Sequence, residues 1–177
     1  MLIFKQLPTL QYNRRDGINL VTRAAIREDV LSKYEVYYPY KIKDGERPDT
    51  IASDYYNAAT FDWLVLMCNN ITNYYSQWPK TDRSFQLYMA DKYGNVNATM
   101  QEIHHYKYDL EEASVRRITY NITPATYAEM TVDERYGWSP VYTYDWEVDL
   151  NEAKRDIRLI SNVYLNQIQS ELAVLFK

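Results

Sequence analysis

The only two histidines of the chain are adjacent, at His104 and His105, and they are the first candidates for metal chemistry. A structural zinc site takes four ligands from cysteine, histidine and acidic side chains, and this chain has one cysteine and no third histidine. If the surrounding segment is a strand, the two adjacent side chains point to opposite faces of a sheet. We therefore expect no shared metal site.

The other reactive side chains give no catalytic set. The single cysteine, Cys68, ends an apolar helical stripe, which favours a small buried side chain over a nucleophile. Asp109, Glu111 and Glu112 form a carboxylate cluster, but acid–base catalysis needs a desolvated pocket. The segment Gly137–Pro140 lacks the second glycine of a nucleophile elbow. These residues do not predict an enzyme.

The glycines exclude phosphate-binding loops, which need clustered glycines so that backbone amides can approach the anion. The four glycines of this chain are far apart in the sequence, at Gly17, Gly45, Gly94 and Gly137. No nucleotide or other cofactor is expected.

The aromatic content is the unusual part of the composition. The 177 residues include 19 tyrosines, 4 tryptophans and 4 phenylalanines. Tyrosine and tryptophan are enriched at protein interfaces. The length suits one medium domain or one small domain with extensions.

Charge and hydropathy exclude two classes of partner. The net charge of -4 argues against a general nucleic-acid footprint. The longest strongly apolar stretch, residues 63–68, is far shorter than the ~20 residues that cross a bilayer. Because the N-terminus lacks the apolar core of a signal peptide and one cysteine allows no internal disulfide, we expect synthesis in the cytosol.

The first half of the chain predicts an arm with a helix, a strand and two further helices. The strand covers Val36–Lys43, and Pro39 indicates either an edge position or a strand that begins after it. A helix follows from about Pro48 to Tyr56. Thr60 begins the next helix, whose core stripe is Phe61, Leu64, Val65 and Cys68. Because Trp63, Leu66 and Met67 lie off that stripe, this helix is expected to meet another segment or another protein as well.

The second half predicts one clear helix, an irregular stretch and a patterned end. The helix runs from Asp82 to Tyr93 and ends at Gly94. Residues 95–140 are expected to be irregular, with short strands near Glu102–Tyr108 and Arg117–Ile122.

Alternation over Val141–Leu150 predicts a strand, with Lys154–Ile160 as its returning partner and a last helix after Ser161. One face of the first strand would carry Tyr142, Tyr144, Trp146, Val148 and Leu150. A continuous helix from Leu150 stays open as an alternative, because Ala153, Ile157 and Ile160 also fit helical spacing.

One stretch resembles the LysM family. It joins Tyr40–Gly45 to Thr50–Tyr56 and continues through Leu64 and Asn69–Ile71. LysM modules have a small strand-helix-helix-strand fold, and many bind polymers of N-acetylglucosamine. The resemblance implies such a core, and it makes a module that binds peptidoglycan glycan the alternative function.

A second resemblance covers nearly the whole chain. Its motifs, in chain order, are Tyr40 through Pro48, Ile51-Ala52, Tyr55-Tyr56, Trp63, Asn69, Ile71, Trp78-Pro79, Lys92–Gly94, His104–Tyr106 and Leu150–Arg155 with Ile157-Arg158. In this order they are similar to the baseplate wedge family of contractile-tailed phages, whose type member is gene product fifty-three of the T-even phages. Members carry a LysM-like core with N-terminal and C-terminal extensions.

This resemblance implies a structural, non-enzymatic subunit of the tail baseplate, present in several copies. Such a subunit would contact the gene-25-like sheath initiator and the large wedge subunits, and would help to join wedges into a ring. Its location would be the virion tail baseplate, after assembly in the host cytoplasm.

The expected fold class is α+β, with a LysM-like core, an N-terminal helical arm and a C-terminal β-hairpin and helix. The expected segments are residues 1–36 for the arm, 37–80 for the core, 81–140 for an extension and 141–177 for the hairpin and helix. Aromatic side chains beyond the needs of the local core are expected to contact other subunits. The candidates are Tyr37, Tyr38, Trp63, Met67, Tyr74, Tyr75, Trp78, Tyr142, Tyr144 and Trp146.

Overall fold

A computed structural model describes residues 7–19, 25–26, 36–112 and 116–175 of the chain. It has a mixed α and β composition, which confirms the predicted α+β class. Two compact units are present. Unit 1 comprises Met1–Pro79 with Lys154–Lys177, and unit 2 comprises Lys80–Ala153. Most of the helix expected in the N-terminal arm lies outside the described residues.

The described residues form seven strands and eight α-helices. The strands are β1 Thr9–Tyr12, β2 Arg15–Ile18, β3 Tyr37–Lys41, β4 Ile103–Glu112, β5 Arg116–Ile122, β6 Ser139–Tyr142 and β7 Asp156–Ile160. The helices are α1 Pro48–Tyr56, α2 Asp62–Cys68, α3 Tyr74–Gln77, α4 Asp82–Tyr93, α5 Val96–Thr99, α6 Pro124–Glu129, α7 Thr143–Ala153 and α8 Leu165–Leu175. Two short 3₁₀ turns, Ala59–Phe61 and Asn162–Tyr164, precede α2 and α8.

An antiparallel hairpin, β1–β2, begins the described chain. Its two-residue turn is Asn13-Arg14, and both residues have positive φ, 49° and 63°. Two consecutive positive φ angles are typical of the tight turns that match the twist of a hairpin. The turn is limited to this pair, since Arg15–Ile18 belongs to β2.

The core of unit 1 is a two-stranded antiparallel sheet covered by helices. Strand β3 pairs with β7 in a register that places Tyr37 opposite Ile160 and Lys41 opposite Asp156. Helices α1 and α2 pack beside it, and the two helices predicted from Pro48 and Thr60 are confirmed to within two residues. The buried members of the core are Val36, Ile42, Ile51, Ala52, Tyr56, Leu64, Val65, Cys68, Trp78, Ile157, Leu159 and Ile160.

The second strand of this sheet comes from the C-terminal segment and not from residues 37–80. The strand predicted over Lys154–Ile160 exists as β7, but its partner is β3. Its alternation is clear, because Ile157 and Leu159 are buried whereas Asp156 and Arg158 are exposed. Alternation determines which face of a strand is buried and does not identify the partner strand.

The two outer edges of this sheet differ. Ser161 donates its amide hydrogen to Val36 O and Ile42 donates to Arg155 O, so alternate backbone groups of β3 face β7. Strand β3 carries Pro39, which has no N–H and is typical of an edge strand. Because β3 begins at Tyr37, the edge position is the correct one of the two alternatives predicted for Pro39. On the far side of β7, Asn69 donates from Nδ2 to Arg158 O at 2.9 Å and accepts at Oδ1 from Arg158 N at 2.8 Å. The amide of Asn69 therefore takes the place of a neighbouring strand.

Unit 2 contains a three-stranded antiparallel sheet in the order β5-β4-β6, together with α4 to α7. Helix α4 has the predicted bounds, and Gly94 ends it with a φ of 72° and a hydrogen bond from its N–H to Ala90 O. The strands predicted near residues 102–108 and 117–122 are confirmed as the longer pair β4 and β5. The intervening residues to 140 are more regular than expected, since they include α5 and α6.

The predicted C-terminal β-hairpin is wrong, and so is the alternative of a continuous helix from Leu150. Residues 143–153 form helix α7, and only residues 139–142 of that region are a strand. The buried residues of α7 are Thr143, Glu147 and Asn151, a spacing of four that places them on one helical face. Two of these three residues are strongly polar, so an apolar periodicity could not reveal that face.

Replacement of Leu159 by alanine should test the importance of β7. Leu159 is 0% exposed, and removing its side chain should lower the free energy of unfolding by about 3 kcal/mol, through lost burial and a residual cavity. Urea denaturation measures this loss. The matched control is Asp156→Ala on the exposed side of the same strand, which should stay within about 0.5 kcal/mol of the wild type. Equal effects of the two changes would contradict the placement of β7.

Candidate interaction surfaces

The two histidines lie close together, contrary to the sequence prediction. The register between β4 and β6 shifts between Ile103 and His105, and this irregularity breaks the strict alternation of side chains. The Nδ1 atoms of His104 and His105 are 2.9 Å apart, and the His104 ring stacks on Trp146 with centroids 3.9 Å apart. Burial, with the neighbouring His104 and Lys107, lowers the pKa of His105.

No catalytic or metal set forms within the described ranges. Cys68 is buried, and burial raises the pKa of its thiol to about 12, so the reactive thiolate is scarce near neutral pH. Asp109 accepts a hydrogen bond from Thr119 Oγ1 at 2.6 Å on the exposed hairpin. No group of three or more histidine, cysteine or acidic side chains in these ranges could hold a metal ion.

Trp78 belongs to the core of unit 1 rather than to its surface. Its side chain is 4% exposed, and its indole Nε1 donates to Glu46 O at 3.0 Å. Trp78 is one of the predicted contact residues, because local pattern does not show that the chain folds back onto the turn before α1. Trp78 is therefore not accessible at the surface of unit 1 for contact with a partner.

Tyr74 and Tyr75 do lie at the surface, on the one-turn helix α3. Two side chains fix the loop, since Asn73 Oδ1 accepts from Tyr75 N at 3.1 Å and Gln77 Oε1 accepts from Asn73 N at 2.7 Å. Tyr75 is 86% exposed and Tyr74 is 37% exposed, and Tyr74 stacks on Trp78 with centroids 5.6 Å apart. A buried tryptophan therefore supports an exposed pair of tyrosines.

A groove of about 450 Å³ adjoins Tyr74. Leu66 contributes an apolar wall, and Arg47 and Asp49 form an exposed ion pair at 3.1 Å on the rim. The complete lining is Arg47, Pro48, Asp49, Asp62, Leu66 and Tyr74. We refer to this groove together with Tyr74 and Tyr75 as the Tyr75 surface.

The candidates on β3 and α2 are only partly exposed. Tyr38 is 55% exposed and stacks on Tyr55 at 6.0 Å, while Tyr37, Trp63 and Met67 are half-buried. Two of these side chains retain a buried polar atom with no hydrogen-bond partner among the described residues, namely Tyr37 Oη and Trp63 Nε1. Burial also raises the pKa of Tyr37 to about 12.

The last three candidates do not form the predicted strand face. Tyr142 ends β6, whereas Tyr144 and Trp146 lie on α7. Both helical residues have contacts inside unit 2, because Tyr144 Oη accepts from Gln86 Nε2 at 2.9 Å and Trp146 stacks on His104.

A buried carboxylate that the sequence did not single out organises the same helix. Glu147 is 4% exposed, and its Oε1 accepts from Lys92 Nζ at 2.6 Å and from Tyr93 Oη at 2.7 Å. Tyr88 Oη is 3.3 Å from the other carboxylate oxygen. Burial alone would raise the pKa of Glu147, but the hydrogen bonds from Lys92 and Tyr93 outweigh it and lower that pKa. Its surroundings therefore serve to keep a buried charge in place.

Comparison with known proteins identifies the family of this chain. Residues 25–175 match the family described as base plate wedge protein 53. The chain belongs to this family of phage baseplate wedge proteins. It is also 24% identical over 160 residues to the baseplate wedge protein gp53 of Enterobacteria phage T4, with 81% of each chain covered.

Membership of the wedge protein 53 family assigns a structural role in the phage tail baseplate and implies interaction with other baseplate proteins. The glycan-binding alternative gains no support from either match. Within the described residues, no helix is both long and apolar enough to cross a membrane.

Alanine substitutions at Trp78 and Tyr75 should distinguish a core residue from a surface residue by their effects on stability. Trp78→Ala should lower the free energy of unfolding by about 4 kcal/mol, because a buried indole and its hydrogen bond to Glu46 are lost. Tyr75→Ala should change it by less than about 0.5 kcal/mol, since the side chain is exposed. Both values come from urea denaturation. A Trp78→Ala protein as stable as the Tyr75→Ala protein would show that Trp78 is not part of the core.

Glu147→Gln should destabilise the protein by about 2 kcal/mol near neutral pH, because charge-assisted hydrogen bonds to a buried carboxylate are lost. The pKa of Glu147 is lowered from its ordinary value of 4.5, so its stabilising effect is complete above that value and is lost as the pH falls through the lowered pKa. Melting temperatures measured from pH 7 to pH 3 should therefore converge for wild type and variant at the acid end. A constant difference over that range would argue against an ionised Glu147.

Proposed function

We propose that this chain is a wedge subunit that contacts a gene-25-like sheath initiator and the large wedge subunits, and that helps to join wedges into a ring. The observation that carries the proposal is the family match over residues 25–175, which spans elements of both units. The proposed setting is the virion tail baseplate, with several copies in each assembly and with assembly in the host cytoplasm.

The Tyr75 surface is the proposed contact site of unit 1. An exposed tyrosine pair beside a groove with one apolar wall suits a permanent interface, because aromatic residues are enriched in such interfaces. The hydrogen bonds of Asn73 and Gln77 fix the backbone of this loop, so little backbone conformational entropy remains to be lost on binding. The Arg47–Asp49 pair would then lie at the polar rim of the contact.

A LysM-like core is part of the same proposal. The order β3, α1, α2 and then β7 supports it, because it gives two helices between two paired strands. In this arrangement the last strand of the module would follow unit 2 in the sequence. We propose the segments 1–36, 37–80, 81–140 and 141–177 as functional divisions, with β7 supplied to the core by the last of them.

The double substitution Tyr74→Ala with Tyr75→Ala tests the proposed contact. In the phage that encodes this chain, the variant should reduce the amount of the protein in purified tails by roughly tenfold, as expected when aromatic anchors are removed from an interface. Quantitative mass spectrometry of the tails measures the amount, and electron microscopy shows whether complete baseplates form.

The matched control is Tyr136→Ala, because Tyr136 is 89% exposed and lies in unit 2. This control should be incorporated normally. The contact proposal is wrong if the double variant is incorporated as well as the control. The wedge function itself is wrong if the wild-type chain is missing from tails.

A further inference from the structure

The outer edge of β5 is open. In the sheet order β5-β4-β6, β5 pairs on one side with β4, and no other described strand pairs with it. Its seven residues are RRITYNI, from Arg116 to Ile122. This composition contains β-branched and aromatic residues and neither proline nor glycine, which favours an extended strand whose outer edge loses no backbone N–H to proline.

The outer edges of β3, β6 and β7 carry features that restrict pairing, in contrast to β5. Pro39 removes an N–H from β3, and Pro140 removes one from β6, which has only four residues. The outer side of β7 is occupied by Asn69 at Arg158 and by the Tyr56 hydroxyl, which donates to Ile160 O at 3.1 Å. Proteins commonly block an edge strand that must stay unpaired. The unblocked edge of β5, seven residues long, is therefore a candidate for pairing with a strand of another protein.

The β4–β5 pair has one apolar face, and that face is covered over only part of its length. The register places Tyr108 opposite Tyr120 and Leu110 opposite Ile118. The first part of the face is covered, since Tyr127 stacks on Tyr106 with centroids 3.6 Å apart.

Trp138 packs on Tyr108 with centroids 5.6 Å apart. Gly137 makes this approach possible, because a Cβ there would lie 2.6 Å from the Tyr108 ring and its φ is 84°. Further along, Leu110 is 36% exposed and Tyr120 is 50% exposed, so the apolar face continues beyond its cover.

We infer that β5 accepts an extended, acidic strand of another baseplate subunit, which adds a fourth strand to the β5-β4-β6 sheet. This inference rests on the proposed wedge function. Strand addition satisfies the open backbone groups of β5 and lets apolar side chains of the incoming strand extend the face formed by Leu110, Ile118 and Tyr120.

The charge of β5 specifies the partner. The strand carries two arginines and no acidic residue, and its partner strand β4 already places Glu112 and Glu111 opposite Arg116 and Arg117 in register. An incoming strand with acidic residues at that end would balance the charge of the two arginines of β5, whereas a basic strand would put like charges opposite each other.

Hydrogen–deuterium exchange tests the inference directly. Exchange is compared by mass spectrometry between the free chain and purified tails that contain it, using peptides that cover residues 116–122. In an antiparallel ladder alternate amides face the same edge, so about three amides should become protected on assembly. The internal control is the 156–160 segment, which should gain no protection because β3 and Asn69 already accept hydrogen bonds from its amides.

A charge test identifies the partner chemistry. Arg116→Glu with Arg117→Glu should reduce incorporation into tails roughly tenfold, since acidic residues would then oppose acidic residues. Arg116→Lys with Arg117→Lys keeps the charge and should be incorporated normally. Melting temperatures of both variants show whether each folds.

Two outcomes would overturn the inference while leaving the wedge function intact. One is exchange over residues 116–122 that is as fast in tails as in the free chain. The other is normal incorporation of the glutamate variant, which would exclude an acidic strand. Absence of the wild-type chain from tails would instead overturn the proposed function and this inference with it.

Discussion

The pairing of β3 with β7 is the constraint on which unit 1 depends. It joins Tyr37–Lys41 to Asp156–Ile160, residues that are separated by more than half of the chain, and it places Ile157 and Leu159 over the helices α1 and α2. Closing so long a loop costs only a little more entropy than closing a short one, because the cost grows with the logarithm of loop length. The burial of a continuous apolar cluster can therefore offset it.

Polar side chains also stabilise this pairing, at positions where hydrophobic burial does not favour one strand register over another. Arg155 is 7% exposed, and its guanidinium donates to Ile42 O at 3.4 Å and to Asp44 Oδ1 at 3.2 Å. Asn69 and Tyr56 bond the far edge of β7. Since an unmade hydrogen bond at a buried edge costs more than a made one gains, these contacts select one register of the strand over others.

Local signals in the sequence predict well those elements whose ends are determined by their own residues. Pro48 begins α1 and Gly94 ends α4, where expected, because a first-turn proline and a glycine at positive φ act within one turn of the chain. Residues 143–150 are the opposite case. Their alternation fits a strand, but Thr143 and Glu147 find polar partners in Glu102 and Lys92, and these contacts stabilise a helix.

The candidate surface was predictable to a similar degree and for similar reasons. Tyr75 was expected at the surface and is exposed, whereas Trp78 was expected there and is buried against Glu46. The difference between them depends on a contact across 32 positions of sequence, which no local pattern reports. The histidine pair shows the same limit, because an irregular register between two strands, and not the dipeptide itself, brings the two rings together.

The tyrosine excess has two physical causes rather than one. Part of it serves the interior, where a hydroxyl can bond a group that an aliphatic side chain would leave unsatisfied. Tyr40 donates to Glu46 at 2.7 Å, Tyr56 to Ile160 O, and Tyr93 to Glu147. Another part is exposed to solvent, as at Tyr12, Tyr75 and Tyr136. The number of tyrosines alone would therefore overstate the interface area, and only the exposed tyrosines are candidates for contact with other subunits.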